Sequence, residues 1–269
     1  MTFVRAVSAE FLKIVSTRLW WVLALILFGY VALVAAGIAF TLSLTPEEAG
    51  MALPDGFLAP LVYAMATAIG YVFPVIFGAM SITSEVRHRT LATMFLATPH
   101  RAVGLAAKAV MGLLVGALYG VISLVASVGL GAPVLAAVGQ ETLLDDGDTW
   151  LMFGRIVLAM ALWGVVGVAL GVLIPSQIGS IVAILAFTQF IEPILRTAAA
   201  FVDWLGQVGN FLPGAAGDAL VGASFFTMFT GAGGGTAPLE WWQGGLVLAG
   251  YAVLFGAIGA ITTWRRDVT

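Results

Sequence analysis

Residues 84–101 read Ser-Glu-Val-Arg-His-Arg-Thr-Leu-Ala-Thr-Met-Phe-Leu-Ala-Thr-Pro-His-Arg, and this charged stretch separates two long apolar segments. No charged residue occurs in 56–84 before it or in 109–140 after it. Each apolar segment is long enough to cross the hydrocarbon core of a bilayer, which takes about 20 residues. The charged stretch must then lie in water. A crossing, a charged turn and a second crossing predict a helical membrane protein.

The composition of the whole chain supports this prediction. Of its 269 residues, 61% are hydrophobic and 9% are charged, whereas ordinary soluble domains have about 25% charged residues. The absence of cysteine excludes disulfides and thiolate metal sites. The apolar run 19–46 is longer than the roughly 7–15 residues of a signal-peptide core, so we interpret it as a retained membrane span.

Apolar length predicts six membrane-spanning helices. Residues 156–191 carry no charge over a length too great for one crossing. Pro175-Ser176-Gln177 divides them, because proline removes a backbone donor and disfavours helix before it. The expected fold is an all-α polytopic membrane protein, a single transmembrane domain over 1–269. The predicted spans are about 19–42, 58–83, 104–130, 151–174, 178–200 and 241–263.

The distribution of basic residues predicts the orientation of the spans. Both termini are basic, which by the positive-inside rule places both in the cytoplasm and requires an even number of crossings. With that topology, nine of the eleven Lys and Arg residues fall on the cytoplasmic side. The apolar patch 219–235 is short and glycine-rich, so we interpret 203–240 as a re-entrant or interfacial element, not a seventh span. The predicted location is a membrane, with both termini on its cytoplasmic side.

Residues 2–17 have the pattern of an amphipathic helix. Apolar residues recur near helical spacing, and charged or hydroxyl residues take most other positions. Such a helix lies in the membrane interface, here on the cytoplasmic surface and in contact with lipid. The alternative is a simple cytoplasmic lead-in to span 1. The residues assigned to this interfacial helix are Phe3, Val7, Glu10, Phe11 and Lys13.

The charged stretch 84–101 is itself predicted to contain a short helix. Thr83 or Ser84 can cap its start, and Pro99 ends it. Apolar side chains on a basic cytoplasmic loop suit docking into a groove of a partner protein. The alternative is a loop whose arginines only set the topology. The apolar residues of this helix are Leu91, Met94, Phe95 and Leu96.

Motifs for catalysis are absent from the sequence. It contains no HExxH, no GxSxG and no phosphate-binding loop ending in Gly-Lys-Ser/Thr, so ATP is not expected to bind a P-loop of this chain. Neither His88 nor His100 lies within a predicted span. We therefore predict no catalytic residue, no metal site and no cofactor on this chain, and no surface for nucleic acid. The acidic residues in 141–148 are interpreted as a solvated loop in preference to a cation site.

A few residues within the spans are candidates for packing or function. Glu192 and Arg196 are four residues apart, so on a helix they can form an ion pair, which we interpret as structural. Glycine stripes over 112–120 and 167–171 predict close helix packing. Five residues of spans 2 and 5 either line a substrate pathway or face lipid. They are Phe73, Phe77, Phe187, Gln189 and Phe190.

Three stretches of the sequence resemble one family. They are Ala9-Glu10-Phe11-Leu12-Lys13 with Ser16-Thr17-Arg18 and Trp20-Trp21; Glu85-x-Arg87-x-Arg89-Thr90 through Thr98-Pro99-x-Arg101 to Lys108; and Glu192-Pro193 with Phe211-Leu212-Pro213-Gly214. In their order and spacing on six spans, they make the chain resemble the membrane (permease) subunit of bacterial, in particular actinobacterial, ATP-binding-cassette (ABC) exporters of the type-2 class. The resemblance covers essentially the whole length.

The resemblance implies a function and a set of partners. Two permease copies, identical or different, pair in the membrane, and each binds a separate cytoplasmic ATPase that carries ATP and magnesium. The segment between spans 2 and 3 would be the coupling helix, and cargo would pass between spans 2 and 5 of the two copies. The residues implied in coupling are Glu85, Arg87, Arg89, Thr90, Leu91, Met94, Phe95 and Leu96.

Several kinds of cargo and two other functions are to be weighed against the sequence. Apolar spans with few buried charges favour an amphipathic or hydrophobic cargo such as a drug, a lipid or a peptide. A six-span secondary carrier or channel would need no ATP, but carriers usually have a carboxylate or histidine deep in a span, where this chain has neutral polar groups. An intramembrane enzyme would need paired Glu, His or Asp residues within spans, and the sequence lacks them.

Overall fold

The computed structural model of the protein describes residues 2–44, 56–90, 101–199, 206, 208–224 and 239–264. Across these ranges the chain forms helices joined by short turns, with no strand. Six helical segments are long and apolar enough to cross a membrane, which confirms the predicted all-helical, six-span character. The helices are α1 Phe3–Ser16, α2 Leu19–Leu44, α3 Leu58–Ala68, α4 Val72–Arg87, α5 Arg101–Ala137, α6 Gly147–Leu173, α7 Gln177–Ala186, α8 Glu192–Ala199, α9 Pro213–Val221 and α10 Trp241–Gly259.

The spans differ from their predicted bounds mainly in length. Span 3 has 37 residues and extends beyond 104–130 at both ends. At about 1.5 Å per residue it is longer than a hydrocarbon core of about 30 Å, so part of it lies outside that core. The six spans are Leu19–Ser43, Leu58–Arg87 (α3 and α4), Arg101–Ala137, Gly147–Leu173, Gln177–Ala199 (α7 and α8) and Trp241–Trp264.

Two spans contain a local interruption of the α-helix. In span 2, α3 and α4 are separated by a turn at Gly70, where a Cβ would lie 3.2 Å from the carbonyl carbon of Ala66. In span 5, α7 and α8 are joined by a π-helical turn, Phe187–Ile191. Pro193 follows that turn. Because proline has no N–H to bond four residues back, it favours such a rearrangement.

The chain turns at Pro175, where the sequence predicts a division between two spans. α6 ends at Leu173 and α7 begins at Gln177. Ser176 caps α7, because its hydroxyl accepts a hydrogen bond from the backbone N–H of Gly179 at 3.2 Å. The proline and the cap together fix the point at which the chain reverses direction.

Successive spans run in opposite directions through the bundle. At one end, the Arg101 guanidinium donates to the Trp264 carbonyl at 2.9 Å, and the Trp264 indole donates to the Arg101 carbonyl at 3.1 Å. Lys108, two turns further along α5, contacts Glu10 of α1. Both ends of the described chain therefore lie at this end of the bundle, as an even number of crossings requires. We call it the α1 end and the other the distal end.

Glycines bring spans 2, 3 and 4 into backbone contact. A Cβ on Gly164 of α6 would lie 3.0 Å from the carbonyl carbon of Gly112 and 3.3 Å from the Cα of Gly116, both in α5. On another face of α6, a Cβ on Gly171 would lie 2.7 Å from the carbonyl oxygen of Ala79 in α4. Small residues permit this approach, and α6 is therefore packed closely between α4 and α5.

The segment 203–240 contains α9, and much of the segment lies outside the described residues. α9 begins with Pro213, which suits the first position of a helix. It packs on α10 at Gly244, where a Cβ would lie 2.8 Å from the backbone nitrogen of Leu220. Its nine residues are too few to cross a bilayer, so α9 is an element buried against the spans and does not form a crossing of its own.

Candidate functional site

A cluster of four charged side chains, three of them buried, lies at the α1 end. It joins α1, α4 and α5, and Lys108 lies at its centre with only 1% of its surface exposed. The Lys108 ammonium donates to Glu10 Oε2 at 2.9 Å and to Glu85 Oε1 at 2.7 Å. A buried charge needs such partners, because its desolvation is otherwise costly. The α1-end cluster consists of Glu10, Lys13, Glu85 and Lys108.

Lys13 completes the α1-end cluster from the protein surface. Its ammonium contacts Glu85 Oε1 and lies 3.4 Å from Glu10 Oε1. Burial and the neighbouring Lys108 ammonium lower the pKa of Lys13, and the Glu10 carboxylate offsets part of that shift. Two carboxylates face two ammonium groups, so the cluster is formally neutral. It fixes α1 against α4 and α5 without leaving a net buried charge.

The outer surface of α1 is apolar on one side. Glu10 is buried against the bundle, while Val4, Phe11 and Val15 are exposed. These three follow at spacings of seven and four residues, so they form one stripe along the helix. Arg5 is exposed as well, and it lies on the face of α1 that belongs neither to the buried side nor to this stripe. An interfacial helix requires this arrangement: one side packed on protein, one apolar side for lipid and one polar side for water.

The residues predicted for the interfacial helix divide between two environments. Glu10 and Lys13 belong to the α1-end cluster, so their charges face protein groups. Phe3 and Phe11 are exposed, and Val7 is half-buried. The two charged residues thus attach the helix to the bundle, and most of the apolar residues remain on its outer surface.

α4 ends in a defined turn immediately before the segment predicted to couple. The backbone N–H of Thr90 donates to the carbonyl of Glu85 at 3.0 Å, and that of Arg89 donates to the carbonyl of Val86 at 3.2 Å. Arg89 has φ +56°, in the left-handed region. This is the Schellman pattern of helix ends, with arginine in the position where glycine is usual. It fixes the direction in which the chain leaves α4.

The structure describes residues 84–90 and 101 of the stretch 84–101, so it tests only some of the predictions for that stretch. The predicted helix start at Thr83 or Ser84 is wrong, because α4 continues through both residues to Arg87. Arg87 donates to the Gln177 side chain at 3.1 Å, so it connects spans 2 and 5. The predicted docking residues lie outside the described residues. They are Leu91, Met94, Phe95 and Leu96.

A second buried cluster, the distal cluster, joins span 5 to α9. Glu192 is 2% exposed, and its Oε1 accepts hydrogen bonds from the backbone N–H groups of Gly214 at 2.5 Å and Ala215 at 3.1 Å. These donors belong to the first turn of α9, where unpaired N–H groups and the helix dipole favour a carboxylate. The Glu192 side chain thus attaches α9 to span 5. The charged residues of the distal cluster are Glu192, Arg196 and Asp218.

Among the described residues, the ion pair of Arg196 is with Asp218 and not with the predicted partner Glu192. Arg196 donates to Asp218 Oδ2 at 2.6 Å and to the Ser224 hydroxyl at 3.2 Å, and that hydroxyl donates to the same carboxylate oxygen at 2.6 Å. The four-residue spacing does put residues 192 and 196 on one face of a helix. α9 and the residues after it, however, supply the partners of both side chains.

A cavity of about 290 Å³ lies beside the distal cluster, walled by spans 1, 2, 4 and 5 and by α9. Tyr71 and Trp163 in its wall stack with their ring centroids 4.5 Å apart. A second cavity, of about 550 Å³, shares Arg196 and Asp218 with the first. The polar residues that line the smaller cavity include Thr67, Thr188, Gln189 and Glu192.

The residues predicted for a substrate pathway lie in different environments. Phe77 is 3% exposed and packs edge-on against a tyrosine of span 3, so it belongs to the packed core and not to an exposed surface. Phe73 and Phe187 are half-buried. Phe190 is 67% exposed on the outside of span 5. Gln189 is exposed beside it and also lines the smaller cavity.

Replacing Gly214 by alanine is expected to loosen the attachment of α9 to span 5. A Cβ there would lie 2.8 Å from Glu192 Cδ, so the carboxylate would have to move away from its two N–H donors. Losing buried hydrogen bonds costs about 1–3 kcal/mol, and we expect the melting temperature of the purified protein to fall by about 5 °C. The matched control is Gly250→Ala, where a Cβ meets open space. Equal melting temperatures for the two variants would contradict this contact.

Compared with known proteins, the chain matches no family model, and a search among curated proteins finds no match. Within the described ranges, no group of three or more His, Asp or Glu side chains is placed to hold a metal ion. A function must therefore be argued from the two charge clusters, the cavities and the exposed surfaces of the spans.

Several residues of the two clusters and the cavity could not be identified from the sequence pattern alone. Lys108 falls within predicted span 3, and a lysine inside a membrane helix requires a partner. That requirement could have prompted a search for a carboxylate such as Glu10. Asp218, Tyr71 and Trp163 gave no comparable signal, because their places in the distal cluster and the cavity depend on how α9 and the spans pack.

Proposed function

We propose that the chain is the membrane (permease) subunit of an ATP-driven exporter, with ATP hydrolysed on a separate ABC ATPase bound at the α1 end. The α1-end cluster is the main support, since its four charged side chains, three of them buried, join the interfacial helix to spans 2 and 3. Pulling these elements apart would leave charges buried without partners, which is strongly unfavourable. A partner that moves one of them would therefore move all three.

The position of the cluster next to the predicted coupling segment supports this function. Glu85 lies in the last turn of α4, six residues before Leu91, the first apolar residue of the predicted docking helix. The turn at Arg89 sets the direction of the chain toward that segment. In this proposal the ATPase binds Met94 and Phe95. Closure of the ATPase on ATP then biases the bundle between its inward-facing and outward-facing states.

The charge pattern supports a cytoplasmic location for the α1 end. Exposed Arg5 and Arg18 lie on and beside α1, and Arg87 and Arg89 lie at the end of α4. The carboxylates of 145–148 lie at the start of α6, at the distal end. Basic residues beside the ends of membrane spans favour the cytoplasmic side. We therefore place the protein in the bacterial cytoplasmic membrane with both termini in the cytoplasm.

The outer surface of span 5 supports pairing with a second copy of the chain, identical or different. α7 packs chiefly on α4, and Ile178 and Val182 on its outer side are exposed. Gln189 is exposed on the same span, and an amide in a membrane span favours a protein or water-lined surface over lipid. We propose that an amphipathic or hydrophobic cargo, such as a drug, a lipid or a peptide, passes between spans 2 and 5 of the two copies.

A secondary carrier or channel is the second candidate, and Glu192 is the observation that favours it. This carboxylate is buried within a span and lines a cavity, which is what a proton- or ion-coupled carrier requires. Such a protein would transport its substrate without an ATPase and would make no use of Met94. The dependence of transport on residue 94 therefore distinguishes the two candidates.

The test is purification of the tagged chain from native membranes in mild detergent, with and without the substitution Met94→Glu. We expect an ABC ATPase to co-purify with the unmodified chain, and to be lost from the variant, because a carboxylate would enter an apolar contact. Membrane insertion should be unchanged, since the undocked side chain would lie in water. Met94→Leu is the matched control and should retain the ATPase.

Three results of this experiment would count against docking of an ATPase at residue 94. Absence of an ABC ATPase from the complex of the unmodified chain would contradict the exporter and leave the carrier. Unchanged transport by Met94→Glu would have the same meaning. Loss of the variant from the membrane would show that residue 94 acts in folding and not in docking.

A further inference from the structure

The distal cluster differs from the α1-end cluster in its charge balance. Glu192 and Asp218 are carboxylates, and Arg196 is the cation that pairs with Asp218. The three residues together carry a formal charge of −1, whereas the four residues of the α1-end cluster sum to zero. A net charge buried in a membrane protein is unfavourable unless another group compensates it, and here the N-terminus of α9 supplies only a partial positive charge. The distal cluster thus lacks one positive charge among the residues that form it.

Glu192 also has an oxygen that no described residue bonds. Its Oε1 accepts both N–H groups of α9, while its Oε2 is buried and has no hydrogen-bond partner among the described residues. Leaving a buried acceptor without a donor costs free energy. A group that carries both an N–H donor and a positive charge would satisfy the oxygen and the charge balance together.

The cavity beside Glu192 suits the organic part of such a ligand. The stacked rings of Tyr71 and Trp163 line it, and aromatic rings attract organic cations. Val34 and Ile38 add apolar surface from span 1. Its volume of about 290 Å³ is at the small end of the roughly 300–1,000 Å³ that ligand pockets span. A small amine fits these limits, and an anion would be repelled by Glu192.

We propose that this cavity binds a small organic ammonium ion, with the Glu192 carboxylate holding the ammonium group and Tyr71 and Trp163 contacting its organic part. The charge-assisted hydrogen bond to Glu192 supplies the selectivity for an amine. The apolar wall and the aromatic pair accept a short hydrocarbon or aromatic group. The site is internal to one copy of the chain, so it does not depend on whether the protein is an exporter or a carrier.

The experiment measures ligand binding to the full-length protein in nanodiscs of phosphatidylcholine, which has no net charge. The probes are phenethylamine, its uncharged N-acetyl derivative and the anion 3-phenylpropionate. Binding of each probe is measured by isothermal titration calorimetry and by the shift in melting temperature. We expect the amine alone to bind and to raise the melting temperature. Glu192→Gln should weaken amine binding by about tenfold or more. Glu141→Gln, an exposed carboxylate at the distal end, should leave it unchanged.

A second variant keeps the test decisive if Glu192→Gln does not fold. Ala68 lines the cavity, and Ala68→Leu fills part of it while leaving Glu192 intact, so amine binding should again be lost. Equal binding of the amine and its N-acetyl derivative would show simple partition into apolar surface and overturn the site. Absence of amine binding up to about 10 mM, or full affinity in either cavity variant, would overturn it as well.

Discussion

Replacing Lys108 by methionine is expected to lower the melting temperature of the purified protein by on the order of 10 °C. Methionine fills a similar volume but removes the cation that faces Glu10 and Glu85. Both carboxylates then depend on Lys13, whose side chain is 46% exposed and cannot replace a buried ammonium. Removing one member of a buried ion pair costs about 3–5 kcal/mol, because the remaining charge stays desolvated.

The same variant should release α1 from the bundle. Trypsin cleavage after Lys13 and Arg18 is expected to become faster in Lys108→Met than in the unmodified protein, since α1 loses its central contact with α5. Arg5→Met is the matched control, because Arg5 is exposed and lies outside the α1-end cluster. A Lys108→Met protein with the melting temperature and cleavage rate of Arg5→Met would contradict the role given to the cluster.

Replacing Gly164 by valine is expected to destabilise the bundle by roughly 3 kcal/mol or more, because the added side chain forces two helices apart. Its Cβ alone would lie 3.0 Å from the carbonyl carbon of Gly112, and the two γ-methyl groups need further space. The contact is between backbones, so no side-chain rotation relieves it. Folded yield in detergent and melting temperature measure the effect.

Gly154→Val on the same helix is the matched control for this substitution. A Cβ at Gly154 meets open space, so the two variants differ in packing and not in helix propensity. We expect Gly154→Val to keep the yield and melting temperature of the unmodified protein. A similar loss in both variants would mean that valine destabilises α6 itself and that the close approach to α5 contributes little.

The sequence predicts those parts of the fold that depend on local properties. A membrane helix needs a long apolar run, and that requirement places all six spans close to their observed bounds. The turn at Pro175 follows from the missing N–H of proline, and the close helix contacts of span 4 follow from its glycines. In each case the physical cause lies within a few residues of its effect.

The charge clusters depend on tertiary packing and could be predicted only in part. Lys108 and Glu10 are 98 residues apart in the chain, and Arg196 and Asp218 are 22 apart. Spacing rules identify pairs on one helix, and for that reason the sequence predicts a pair between Glu192 and Arg196. The partners that α9 supplies could not be found in this way, because the position of α9 against span 5 is not encoded in any local pattern.

The end of span 2 shows how a strong local signal can mislead. Thr83 and Ser84 are good capping residues, yet both lie inside α4. The Thr83 hydroxyl donates back to the carbonyl of Ala79 at 3.0 Å, which satisfies it within the helix. Glu85, in the last turn of α4, is held by Lys108 and Lys13. Tertiary contacts thus accompany the part of α4 that continues beyond the capping residues.

Coupling through residues 91–97 is tested most directly by site-specific crosslinking. The chain has no cysteine, so Met94→Cys and, at the distal end, Glu141→Cys can each carry one photoactivatable crosslinker in native membranes. We predict an adduct between residue 94 and an ABC ATPase, identified by mass spectrometry from its phosphate-binding loop, and no such adduct at residue 141. Absence of the ATPase adduct at residue 94 in membranes that retain transport would contradict coupling at this segment.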